Sequence, residues 1–131
     1  MGKPIKIEKP ARDIRIIDFS VEFIPAMYQL NQKYNMDMVE KYIYFERFIN
    51  DCIERGNKIY LLSDNGIKAY IIDGKELIAM GSYEYIKPLL NTIPSFMITL
   101  HKQSDLLRDM LRDGYFLDKH YTAGSLARII K

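Results

Sequence analysis

Apolar and polar residues alternate along this chain with two different periods. The clearest period-two stretch covers residues 58–88, KIYLLSDNGIKAYIIDGKELIAMGSYEYIKP. It predicts three consecutive strands separated by turns at Asp64-Asn65-Gly66 and Asp73-Gly74-Lys75. Each turn carries an Asn-Gly or Asp-Gly pair, which supplies φ > 0 in tight hairpins. The runs between them are rich in Ile, Leu and Tyr, side chains that suit a pleated, half-buried surface. Such a meander needs helices or a second sheet over one face.

The flanking segments supply those covers. Residues 13–19, DIRIIDF, form a short β-branched run that reads as a first strand. Residues 20–34 then switch to helical spacing, with Phe23, Ile24, Met27, Leu30 and Tyr34 on one face. Ser20 is one candidate N-cap. A start nearer Pro25 avoids losing a hydrogen bond at the missing proline N–H, so the boundary stays open between the two. The strongest helical pattern spans residues 38–55, where Met38, Val39, Tyr42, Phe45, Ile49, Cys52 and Ile53 form an apolar stripe. Asp51 and Arg55 stand i, i+4 for a surface pair, and Gly56 is the expected C-cap.

After the meander, residues 89–94 allow no more than one helical turn, and residues 95–101, SFMITLH, read as a central apolar strand. Ser104 is placed as the N-cap of a last helix, with Asp105 at its positive end. Leu106, Leu107, Met110 and Leu111 form that helix's apolar face, and Gly114 ends it. The tail divides at Ala123-Gly124-Ser125 into two strand-like runs, YFLDKHYT and SLARIIK, which predict a hairpin. The order β-α-α-β-β-β-β-α-β-β gives an α/β or α+β domain, with a twisted, mostly antiparallel sheet and helices on its faces.

Composition narrows the class without naming an activity. The 131 residues are one domain by size, 48% hydrophobic and 27% charged, as in an ordinary globular protein. A formal charge of +2 does not by itself argue for nucleic acid or an anionic membrane. The single cysteine, Cys52, excludes an internal disulfide and reads as a buried structural thiol. Residues 1–11 carry two prolines and three lysines without periodicity and are expected to be a flexible arm. No apolar run approaches the roughly 20 residues of a membrane span, and no signal-peptide stretch opens the chain, so a cytoplasmic setting is expected. His101 and His120 have no Cys or carboxylate at metal spacing, so no metal is expected. No nucleophile elbow, Walker A loop, zinc-finger spacing or RNA-recognition signature is present.

Over residues 12–131, read as one domain, the order and several segments resemble the GCN5-related N-acetyltransferase (GNAT) family. Residues 54–88 are similar to that family's passage from its second helix through strands two to four, with Ile86-Lys87-Pro88 at the end of the fourth strand. Residues 103–115, QSDLLRDMLRDGY, resemble its fourth helix, and the final hairpin also fits. The resemblance implies a GNAT-like α/β (α+β) fold with a mixed, mostly antiparallel sheet of about six to seven strands and helices on both faces. It also implies acetyl-CoA as cofactor and, where that cofactor binds, contacts at Tyr85, Ile86, Lys87 and Gln103. Glu84 would then be a general base with a pKa raised by burial; otherwise it simply points to solvent between Tyr83 and Tyr85. Met80-Gly81-Ser82 would mark either a splay that admits the cofactor or a plain bulge. Tyr83, Tyr85, Tyr115 and Tyr121 either line a pocket or pack the sheet.

Three departures stand against the family's usual chemistry. Residues 89–94 lack the glycine-rich loop that sets a pyrophosphate on a helix N-terminus. Gln103 replaces the usual Asn, and Met110 stands where a Tyr general acid is common. This combination is similar to small GNAT-like proteins of tailed phages, including an internal virion or morphogenesis protein, with Gly114, His120-Tyr121-Thr122, Gly124 and residues 126–130 matching in form. The leading expectation is thus a GNAT-like pseudo-enzyme without cofactor, acting as a binding or assembly protein in a host cytoplasm or virion, with a protein partner and no nucleic acid or membrane. The alternatives are an N-acyltransferase using acetyl-CoA with an atypical loop, and a phage inhibitor of a host protein.

Overall fold

The computed structural model describes residues 13–35, 40–121 and 123–131. The expected arm at residues 1–11, the predicted helix start at Met38 and Val39, and Thr122 lie outside them. Seven strands and four α-helices are present among the described residues. A four-stranded antiparallel sheet contains β1 (Arg15–Asp18), β2 (Lys58–Ser63), β3 (Ile67–Asp73) and β4 (Leu77–Gly81), in that order. A second sheet has the order β5 (Met97–His101), β7 (Leu126–Ile130), β6 (Phe116–Leu117), also antiparallel. β5 is therefore the edge strand facing β4, and β7 takes the central place predicted for β5. The strand run of the tail shrinks to Phe116–Leu117, paired with Ile130 and Ile129.

The helices divide between the faces of the first sheet, as the strand alternation requires. α1 (Ile24–Tyr34) and α2 (Tyr42–Glu54) bury Ile24, Met27, Phe45, Ile49 and Cys52 against Leu61, Tyr70 and Ile72. The intervening residues Leu62, Ala69 and Ile71 point the other way, into a core shared with α3 (Tyr83–Leu90) and α4 (Asp105–Arg112). Each fully buried aliphatic side chain contributes about 1.5–3 kcal/mol, so both faces are needed to hold the sheet. Pro25 lies in the first turn of α1, preceded by a single 3₁₀ turn at Val21–Phe23, so the helix takes the start that spares the proline. Ile53 and Leu111, assigned to apolar stripes, are about 40% exposed at the stripe margins.

The two meander turns differ. Asn65 and Gly66 have φ of 59° and 111°, as the Asn-Gly pair predicts. Gly74 does not use positive φ; a Cβ there would stand 2.8 Å from Asn57 Nδ2, the movable end of a side chain.

The main correction concerns residues 82–90. The sequence pattern extends the third meander strand to Pro88, but β4 ends at Gly81 and Tyr83–Leu90 is a helix. Ile86, Leu89 and Leu90 are its buried residues, at i, i+3 and i+4 spacing. Tyr85 N–H and Ile86 N–H donate to Ser82 O at 3.1 and 3.3 Å, closing the first turn. Pro88 lies inside the helix, where it removes the bond to the Glu84 carbonyl and helps to keep the helix short.

Candidate functional site

The site begins where β4 passes to α3. Gly81 has φ +129°, and a Cβ on it would lie 2.5 Å from Ala69 Cβ and 2.7 Å from Lys68 O. Only glycine can take this backbone so close to β3. The chain then turns through Ser82 directly into α3, whose first turn has no side-chain cap. Ser82 Oγ is buried and has no hydrogen-bond partner. A helix start of this kind presents N–H groups and the positive end of the dipole. Beside it runs the seam between the sheets, because β4 and β5 lie side by side without pairing. The two strands that flank this seam are Leu77–Gly81 and Met97–His101.

On the outer side, α3 and α4 are joined through Asp113. Tyr83 Oη donates to Asp113 Oδ2 at 2.6 Å, and Lys87 Nζ lies 3.0 Å from the same oxygen. These two partners, the phenol first, hold the Asp113 carboxyl below its ordinary value. Burial and the adjacent carboxylate push the Tyr83 phenol well above the usual tyrosine range, and Tyr115 is raised for the same reasons. A hollow of about 470 Å³ here is lined by Ser82, Tyr83, Glu84, Lys87, Asp109, Arg112 and Asp113. A second hollow of about 580 Å³ lies towards the far end of α3, between Lys87, Asn91, Tyr115, Phe116, Ile130 and Lys131.

The predicted site residues separate. Glu84 and Lys87 line one hollow, Glu84 exposed on the first turn of α3 and Lys87 paired to Asp113. Ile86 is fully buried in the core. The Tyr85 hydroxyl points to Asp64 Oδ2 at 3.5 Å, and Gln103 is exposed in the β5–α4 loop, its N–H donating to His101 Nδ1. Ile86, Lys87 and Pro88, expected to end a strand, are helical instead. At Met80-Gly81-Ser82, expected as a splay or a plain bulge, what sequence reasoning missed is the helix start at Tyr83. Its signals were Ser82, a cap-type residue, followed by Glu84 in the first turn and the spacing of Ile86, Leu89 and Leu90. Cys52 is buried, and its thiol is raised, chiefly by desolvation. Among the described residues there is no group of three or more His, Cys, Asp or Glu able to hold a metal, and no helix long and apolar enough to cross a membrane.

No family model matches the sequence, and no curated protein matches it. Solved structures do match the fold. An acetyltransferase from Salmonella typhimurium that modifies the N-terminal serine of a 50S ribosomal subunit protein aligns at TM-score 0.65 and 13% identity, over 90% of this chain and 94% of that one. An acetyltransferase candidate from Salmonella typhimurium with its cofactor acetyl-CoA aligns at TM-score 0.65 and 8% identity, over 90% and 92%. The PaiA N-acetyltransferase from Thermoplasma acidophilum in complex with coenzyme A aligns at TM-score 0.62 and 17% identity, over 91% and 98%. At these identities the likeness is one of architecture: the chain has the GNAT acetyltransferase fold.

Proposed function

We propose that this chain is an N-acyltransferase that binds acetyl-CoA in the seam between β4 and β5 and passes the acyl group to an amine. One observation carries the reading: β4 runs through Gly81 and Ser82 straight into an uncapped helix start beside that seam. The strongest sequence argument against a cofactor was the want of a phosphate-cradling helix after the meander. A helix does start after β4, at Tyr83 in residues first read as strand, with Gly81 as the one glycine leading into it. Backbone N–H groups at Tyr83 and Glu84, with the unpartnered Ser82 hydroxyl, would receive a pyrophosphate oxygen, and the dipole would favour its charge. The CoA-bound likenesses support this choice of cofactor. In the transfer an amine nitrogen bonds to the thioester carbonyl carbon, the C–S bond breaks, and the sulfur leaves with a proton. Glu84, exposed on α3, lacks the burial that would fit it for taking the amine proton.

The second reading is a GNAT-fold binding or assembly protein without cofactor. It is favoured by the Glu84 carboxylate on the first turn of α3, which opposes an anion, and by Lys87 and Arg112 in the same hollow being engaged by Asp113 and Asp109. Thermal melts with 1 mM acetyl-CoA separate the two. At a hundred times Kd, a ligand of the native state adds about 2.7 kcal/mol, or roughly 8–12 °C for a chain of this size. A saturable rise supports the acyltransferase; an unchanged melt up to several millimolar contradicts it.

A further inference from the structure

The two sheets share no ladder across the seam, so side chains must set how far apart β4 and β5 stand. Ile98, Ala127 and Ile129 face the α3–α4 core, which puts the alternate residues Thr99 and Arg128 on the opposite face of the second sheet. Those two are direct cross-strand partners in the β5–β7 register. Arg128 Nε donates to Thr99 Oγ1 at 3.1 Å, and Thr99 Oγ1 donates to Glu76 Oε1 at 3.0 Å. Arg128 Nη2 donates to Glu76 Oε2 at 3.4 Å, closing a ring of three side chains. The ring fixes the direction of the Thr99 hydroxyl, which has only one proton to give.

Glu76 is the member that belongs to the first sheet. It lies in the three-residue turn between Asp73 and Leu77, which pair at the start of β4. That turn is held to the first sheet by the β3–β4 ladder, which begins at its two ends with Asp73 and Leu77. From the other side, the Arg128 guanidinium lies 4.0 Å from the centre of the Tyr121 ring, and its side chain is only 21% exposed. Both ends of the contact are therefore held by their own halves of the molecule. We infer that the Glu76–Thr99–Arg128 ring is a strut that fixes the separation of β4 and β5 on one face of the seam. On the opposite face Tyr83, Lys87 and Asp113 join α3 to α4. The strut does not depend on what the seam binds.

Hydrogen exchange on the full chain without ligand tests the inference. Glu76→Gln keeps the shape and removes the charge; Thr99→Val keeps the shape and removes the hydroxyl link. Asp105→Asn, which breaks a pair with Arg108 on α4 alone, is the control. Loss of the strut should raise exchange in peptides over 77–81 and 97–101 by about three- to tenfold, leaving those over 58–63 unchanged. The control should show no rise at the seam. Unchanged exchange at the seam, or a rise by one common factor throughout the chain, overturns the strut. Thr99→Val, the smaller change, gives the reading if Glu76→Gln is too unstable to compare.

Discussion

Replacing Gly81 by Ala puts a Cβ into the one place where strand, helix start and seam meet. Two costs add there. At φ +129° a residue with a Cβ takes a backbone that is nearly reserved for glycine, a strain of about 1–3 kcal/mol. The new carbon would also stand 2.5 Å from Ala69 Cβ, 2.8 Å from Ala69 Cα and 2.7 Å from Lys68 O. These atoms belong to β3 or lie on its backbone, so relief requires a strand to move, a further cost of about 1–3 kcal/mol. The sum, about 2–6 kcal/mol, is a large share of the roughly 5–15 kcal/mol that holds a domain of this kind. Gly56→Ala is the matched control, because Gly56 also has positive φ, at 81°, but has nothing within 4 Å of its Cβ position. It should lose only the strain. Urea unfolding followed by circular dichroism measures both variants, with midpoints compared at equal slope. Gly81→Ala should be the less stable of the two by at least about 1 kcal/mol. Equal midpoints would refute the close approach and, with it, the placement of the β4–α3 junction.

Other consequences follow from the same geometry. Ile86→Ala should destabilise by about 2–4 kcal/mol in urea, because Ile86 is fully buried on α3. Glu84→Ala, exposed on the same helix, should cost under about 1 kcal/mol; a reversed order would restore the strand reading of residues 83–88. Asp113 has a lowered pKa in the fold, so its contribution is present above the unfolded carboxylate value of about 3.9 and is lost as pH falls through the folded one. The difference in melting temperature between the wild type and Asp113→Asn should accordingly be widest near neutrality and narrow below about pH 4. A constant difference across that range would show that Asp113 acts through packing alone. In absorbance titration Asp113→Asn should also bring the Tyr83 phenol down towards its ordinary range, since the carboxylate is one of the groups that raises it.

Most of the scaffold was legible because it rests on short-range rules. The Asn65-Gly66 turn, the apolar stripe of α2 and the Ser104 cap, which accepts from Leu106 and Leu107, are each written in a few adjacent residues. α3 was not, because Tyr83, Tyr85 and Pro88 imitate a strand and its end, while the helical face of Ile86, Leu89 and Leu90 extends past the proline. The β5–β7–β6 order depends on long-range pairing, for which nothing local in residues 95–101 distinguishes a central strand from an edge. The site itself is mostly backbone: the bend at Gly81, the start of α3 and an unpaired seam. Side-chain motifs cannot announce such a place, and the expected base and cofactor contacts, Glu84, Tyr85, Ile86, Lys87 and Gln103, are dispersed over core, groove and loop.

The central claim is that acetyl-CoA enters the seam and meets the first turn of α3. The most direct measurement is a titration of ¹⁵N-labelled wild-type protein with acetyl-CoA, following the backbone amide signals by NMR. The account predicts saturable shifts concentrated at Gly81, Ser82, Tyr83 and Glu84 and along Met97–His101, with the α1–α2 face of the molecule undisturbed. Amides that do not move at millimolar acetyl-CoA, or shifts confined to α1 and α2, would contradict it.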